Sequence, residues 1–205
     1  MAKIYVGAID CSFNFCGCAL LRRDKSGTKP YIEITRIVEN PRLKKSSSLI
    51  DLDRACILYS GAKSFTDIVM SRGGVKVFAF EVPGGSQSQR AAACLGMAKG
   101  VIASILAQQL FEDITPGSWM RAPVMPNDVH KRVTGKTKAT KEDVMNYVLE
   151  NYSNQITFMN KKYGVYHHVE NDASVVIRYT KGQFEHIADA IVIAECGFKQ
   201  LEETK

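Results

Sequence analysis

Apolar and polar positions are arranged along the first forty residues in runs that predict strands. Residues 3 to 9, Lys-Ile-Tyr-Val-Gly-Ala-Ile, form a short apolar run of the kind that makes a buried strand. A polar turn containing Asn14 separates it from a second run, Cys16 to Leu21, so the two are expected to pair antiparallel. Residues 30 to 38, Pro-Tyr-Ile-Glu-Ile-Thr-Arg-Ile-Val, alternate in part and predict a third strand beside the second.

The period then changes. Between Ser46 and Met70 the residues Leu49, Leu52, Ile57, Leu58, Phe65, Ile68 and Val69 recur every three or four positions, which predicts a helix, interrupted near Gly61. Val75 to Phe80 is a short β-rich run that ends at Glu81 and the turn dipeptides Val82-Pro83 and Gly84-Gly85. Ser88 to Leu110, rich in Ala, Leu, Met and Gln and free of proline, predicts a long helix in which Gly96 and Gly100 permit close packing.

A further strand is expected near Trp119 to Val124, and a helix over Lys141 to Tyr152, introduced by Thr140 with Asp143 three residues on. Residues 153 to 182 are polar and aromatic and are expected to form a hairpin or a flexible insertion. Glu185 to Leu201 is the last helix, with Ile187, Ala190, Ile191, Ile193 and Ala194 as most of its apolar side. There is no internal repeat or low-complexity linker, so residues 1 to 205 are expected to form one domain.

Composition adds boundaries rather than identity. With 205 residues, 45% hydrophobic and 23% charged, the chain can build a core without staples. The six cysteines, at positions 11, 16, 18, 56, 94 and 196, contain no Cys-x-x-Cys pair and are expected to be reduced and mostly buried. The longest unbroken apolar runs fall short of the ~20 residues a membrane span needs, and the first residues lack a secretory pattern, so no membrane contact and a cytoplasmic location are expected. The formal net charge of +6 favours a polyanion as partner.

Four residues stand out against this background. Asp10 and Glu81 each end an apolar strand, where burying a lone carboxylate costs several kcal/mol unless a positive charge compensates. A divalent cation is the simplest compensation, and magnesium favours one or two carboxylates plus waters and phosphates. His186 and Asp189, three apart, share one face of the last helix between apolar neighbours. If all four converge, they form a site for two metal ions that activate a water and stabilise the leaving 3′ oxygen of a phosphodiester. In that scheme Asp10 bridges the ions, Glu81 and Asp189 bind one each, and His186 ligates a metal or orients the water.

Singly, each has a blander role: Asp10 as a turn residue, Glu81 as a solvated strand end, His186 and Asp189 as a cap and a dipole partner of their helix. The stretch Lys131, Arg132, Lys136, Lys138, Lys141 carries no acid and reads either as a phosphate-gripping loop before a helix or as a solvated basic surface.

Taken in order, these segments resemble the RuvC family of Holliday junction resolvases, in a diverged, phage-type or mobile-element form. Ile9-Asp10-Cys11-Ser12-Phe13-Asn14-Phe15-Cys16-Gly17 is similar to the family's strand-one aspartate with a glycine seven residues later. Phe78-Ala79-Phe80-Glu81, followed by Leu95-Gly96-Met97-Ala98-Lys99-Gly100, resembles its second motif. Lys131-Arg132-Val133-Thr134-Gly135 with Ala139-Thr140-Lys141 resembles its basic loop, and His186-Ile187-Ala188-Asp189 its terminal metal-binding helix.

The resemblance implies a ribonuclease H-like fold, a five-stranded mixed sheet flanked by helices. It implies a homodimer cutting four-way DNA junctions, two Mg²⁺ ions per active site with Mn²⁺ able to substitute, and Asp10, Glu81, His186 and Asp189 as catalytic metal ligands. Lys141 would contact backbone phosphate. Two departures are visible: Gly84 stands where bacterial members carry an aromatic wedge, and residues 153 to 182 have no counterpart in the short bacterial pattern. The competing functions are a nuclease for forks and flaps as well as junctions, and a catalytically silent junction-binding protein. An actin-like kinase shares the opening element order, but its second half has no room in this chain.

Overall fold

Strand β1 (Ile4–Cys11) pairs antiparallel with β2 (Phe15–Arg23), and β2 with β3 (Tyr31–Glu39), as the two apolar runs around Asn14 and the alternating run after them predict. The computed structural model describes residues 3–25, 27–40, 48–81, 88–112, 119–168 and 174–204. On the other side of β1, β4 (Val75–Glu81) and then β5 (Trp119–Val124) add in parallel, which gives a five-stranded mixed sheet of order β3-β2-β1-β4-β5.

Both faces are covered. Along β1 the residues Tyr5 and Ile9 face one core, shared with Leu58, Phe65 and Val69 of α1 (Ser48–Met70) and Val101 and Ile105 of α2 (Gln89–Glu112). Ile4, Val6 and Ala8 face the other core, shared with Ile187, Ile191 and Ala194 of α5 (Lys181–Glu203) and with Val144 and Val148 of α4 (Lys141–Asn151). This period-two division assigns every even-numbered side chain of β1, Asp10 included, to the α5 side.

Three glycines behave differently from expectation. α1 runs unbroken through Gly61, because the missing side chain is a packing device: a Cβ there would lie 2.5 Å from Val38 Cγ2 of β3. On α2, by contrast, Gly96 and Gly100 meet nothing within 4 Å, so the close packing they permit is not used among the described residues. By length and composition alone, the part of α2 from Gln89 to Gln109 is apolar enough to cross a bilayer, and 28% of its most apolar stretch is buried. That corrects the conclusion from unbroken runs, since the apolar character here is spread over small residues.

Residues 131 to 134, expected as part of a basic loop, belong to a helix, α3 (Pro126–Thr134). Proline at its first position and Gly135 with φ 72° just beyond its end are ordinary start and stop signals. Residues 153 to 182, expected as a hairpin or flexible insertion, contain three strands, β6 (Ile156–Met159), β7 (Lys162–His168) and β8 (Ser174–Tyr179), in one antiparallel sheet.

This small sheet seals the open edge of β3 with side chains. The Gln155 carboxamide accepts from the Ile32 N–H and donates to the Ile32 carbonyl, both at 2.9 Å, beside the point where the β2–β3 register shifts. Further along, His167 Nε2 accepts from the Thr35 N–H at 2.9 Å, and the Thr35 hydroxyl lies 2.8 Å from the Tyr179 hydroxyl.

An acceptor at Nε2 requires a neutral ring, and burial holds the His167 pKa below its ordinary 6.5. The stability this contact contributes is therefore complete above about pH 6.5 and is lost as pH falls through the lower folded-state value. The expected outcome is that Tm of the metal-free protein falls less steeply below pH 6.5 in His167→Gln, which keeps an acceptor but cannot titrate, than in the wild type. Equal steepness in a pH series of thermal melts would remove His167 from the account.

Candidate metal centre

The last paired rung of β1 and β4 is Ile9↔Phe80, so Asp10 and Glu81 follow it at the same end of adjacent parallel strands. Glu81 extends the series Val77, Ala79 that faces α5, just as Asp10 extends Val6 and Ala8. Opposite Asp10 in the antiparallel register is Gly17 of β2. A Cβ at Gly17 would lie 2.2 Å from the His186 carbonyl oxygen, so glycine alone lets the start of α5 rest on the sheet at this point.

α5 is started by Thr180, whose hydroxyl accepts from the Gln183 N–H while the Gln183 carboxamide accepts from the Thr180 N–H. Capping is thus done by Thr180 and Gln183, which leaves His186 and Asp189, in the first turns, for other work. His186 Nδ1 lies 2.7 Å from Asp10 Oδ2, and its ring stacks on Phe15 with centroids 5.2 Å apart. Ligand atoms of Asp10, His186 and Asp189 all lie within 4.8 Å of one another.

Glu81 stands outside this trio but within its electrostatic reach. Its carboxyl is pushed up to about 7, first by burial and then by the Asp10 charge, against the opposing influence of His130. The Asp189 carboxyl is likewise pushed up to about 7, by burial, then Asp10, then Glu81, with His186 and Lys141 opposing. Such crowding marks acids that lack a counter-charge. Carboxylates with one imidazole form a donor set suited to Mg²⁺ or Mn²⁺, so the residues fit the cation that the charge deficit calls for.

The basic stretch divides. Lys141, at the first position of α4, is 3.1 Å from Glu185 and acts on Asp189, so it flanks the centre. Lys136 and Lys138 are exposed on the segment between α3 and α4, which His130 Nδ1 ties down through the Thr137 carbonyl at 2.9 Å. Lys131 and Arg132 lie in the last turn of α3. Arg132 is engaged elsewhere: its Nε donates to the buried Glu195 at 2.7 Å, roughly 14 Å along α5 from His186. Gly84 and the turn after Glu81 lie outside the described residues.

Sequence reasoning missed two contributors. His130 carries no motif, and only the fold brings it beside Glu81. Phe15 looks like any strand residue until it is found under the His186 ring.

The sequence matches no family model and no curated protein. Solved structures do match. Thermus thermophilus RuvC aligns with 98% of this chain and 97% of its own length at 15% identity and a TM-score of 0.60. T. thermophilus RuvC in complex with Holliday junction substrate aligns with a TM-score of 0.59 at 15% identity, over 98% and 97% of the two chains. The yeast mitochondrial Holliday junction resolvase Ydc2 aligns with 97% of this chain and 80% of its own at 10% identity and a TM-score of 0.56. The chain therefore has a ribonuclease H-like fold. Within that class its fold is that of RuvC and other Holliday junction resolvases, the family its motifs resemble.

Two outcomes are expected. Raised carboxyl pKa values favour the metal-free fold at low pH; this contribution is full below the unfolded values near 3.8 and 4.5 and is lost as pH rises through about 7. Cation binding must then release protons, so the Tm increase produced by Mg²⁺ should be larger at pH 8 than at pH 5.5 and should collapse in Asp189→Asn. Gly17→Ala should cost at least ~2 kcal/mol in urea unfolding, because backbone must move to admit the methyl group. Wild-type stability in that variant would show that α5 does not need this contact.

Proposed function

We propose that this chain is a metal-dependent endonuclease that resolves four-way DNA junctions by paired phosphodiester hydrolysis as a homodimer. The observation that carries the reading is the convergence of Asp10, His186 and Asp189, with Glu81 beside them, at one end of the sheet. Around that centre lie Lys141 and the exposed Lys136 and Lys138, while the fold is shared with T. thermophilus RuvC, itself seen in complex with a Holliday junction substrate.

Asp10, His186, Asp189 and Glu81 would hold two Mg²⁺ ions, or Mn²⁺ in their place. Bound ions supply charge neutralisation of the phosphate and lower the pKa of water. Asp10 accepts from His186 Nδ1 and so fixes the imidazole tautomer, leaving Nε2 one lone pair that either ligates an ion, with the water proton then passing to solvent, or itself accepts the proton of the attacking water. The water oxygen bonds to phosphorus, the bond to the 3′ oxygen breaks, and that oxygen takes up a proton, leaving a 5′-phosphate and a 3′-hydroxyl. Lys141 holds a backbone phosphate as a point charge at the start of α4.

Support for the dimer comes from α2, where Gly96, Gly100, Ala103 and Ala107 make an exposed stripe of small residues. A second copy can pack its own stripe there about a two-fold axis, and two sites on two strands follow. We assign the apolar surface of α2 to that copy rather than to lipid, and the enzyme to the cytoplasm.

Magnesium-dependent nicking of a synthetic four-way junction is expected, falling by at least ~100-fold in Asp10→Asn with junction affinity retained. Full activity in that variant would end the metal reading; binding without any cleavage by the wild type would favour the silent junction-binding protein. Equal cutting of forks, flaps and junctions would replace junction resolution by a broader branched-DNA activity.

A further inference from the structure

The β6–β7 hairpin presents large apolar side chains to solvent at a place where the core has no need of them. Phe158 is 58% and Met159 65% exposed, and the turn between the strands, Asn160 and Lys161, has φ values of 53° and 62°. This is the tight turn with two left-handed residues that matches strand twist, so the tip is a defined shape. From Ile156 to His168 the sequence contains no acid, and Lys161 and Lys162 stand at the tip, both exposed.

Phe158 is backed by an aromatic column. Its ring meets Tyr163 across the hairpin with centroids 4.7 Å apart, and Tyr163 lies parallel to Phe184 at 4.2 Å and 3°. Phe184 is fully buried on α5, two residues before His186. The register fixes the location: Tyr163 pairs with Tyr179, the residue before the Thr180 cap of the helix that carries His186 and Asp189. The tip therefore sits at the same end of α5 as the metal centre.

We propose that this tip is a DNA-contact element in which Phe158, with Met159 beside it, stacks on an unpaired base at the branch point while Lys161 and Lys162 hold the adjoining phosphates. The inference rests on the junction-nuclease reading. A nucleobase is the occupant that suits the chemistry, since a ring face stiffened from behind and flanked by cations is what base stacking with phosphate contact requires. An apolar protein partner would gain nothing from the paired lysines. Column and hairpin hold the ring in place before DNA arrives, so little side-chain freedom is lost on binding.

The test measures binding of the full chain to a fluorescent four-way junction and to linear duplex in chelator, so that cleavage does not intervene. Phe158→Ala is expected to weaken junction binding by at least about fivefold with duplex binding unchanged, and Phe158→Tyr to restore it. Lys161→Ser combined with Lys162→Ser should make the dependence of affinity on salt less steep by about two phosphate contacts. Thermal melts of each variant must match the wild type, and the lysine pair, remote from any core, keeps the test valid if Phe158→Ala is unstable. Junction affinity and salt slope unchanged in both variants would overturn the proposal while leaving the nuclease reading intact; a wild type that binds no branched DNA would remove both.

Discussion

The approach of α5 to β2 at Gly17 is the contact on which the centre depends. Two chemically unrelated segments must meet there within van der Waals distance, and the 2.2 Å that a methyl group would leave to the His186 carbonyl shows how little space remains. Everything local follows from it. With the helix seated that low, His186 reaches Asp10, Asp189 reaches the same volume from the next turn, and Phe15 closes the far side of the imidazole. Gly197 plays a similar part further along, where a Cβ would meet Val6 and Ala79 at 2.9 and 3.0 Å, so α5 lies close to the sheet along its length.

That seating has an electrostatic cost. Burial and neighbouring acids push two carboxyls up at a sheet end where, among the described residues, His130, His186 and Lys141 offset the shift only in part. Lys141 answers only in part, since it is shared with Glu185. Deeper along α5 the opposite solution is used: Glu195 is buried but fully answered, by Arg132, by the Tyr147 hydroxyl at 2.7 Å and by the Tyr152 hydroxyl at 2.8 Å. One acid on this helix is structural because its partners are supplied by the chain. Asp189, and Glu81 at the end of β4, are left without a full counter-charge from the chain.

How much could be read from the sequence follows the same division. Strand ends, the Thr140–Asp143 cap and the three-residue spacing of His186 and Asp189 are local signals, and the structure repeats them. α3 is marked in the sequence by Pro126 and Gly135, but its basic residues fit a phosphate-binding loop equally well. Arg132 illustrates what local reading cannot reach: its neighbours describe a cationic loop, while its partner is 63 residues further along the chain. His130 and the edge-sealing pair Gln155 and His167 are of the same kind, since each acquires a role only when distant segments are brought together.

The sealed edge of β3 has a consequence for how the molecule can change. Where the Ile32 and Thr35 backbone groups of this outer strand are satisfied by Gln155 and His167, β3 offers no template to another strand, so sheet extension by a second copy is blocked along that stretch. Gln155 just precedes β6 and His167 lies on β7, so the appended segment covers part of the central sheet's edge as well as carrying a surface. Its tip can then be altered without reopening the strand beneath, so what constrains the tip is what it contacts and not the sheet it extends from.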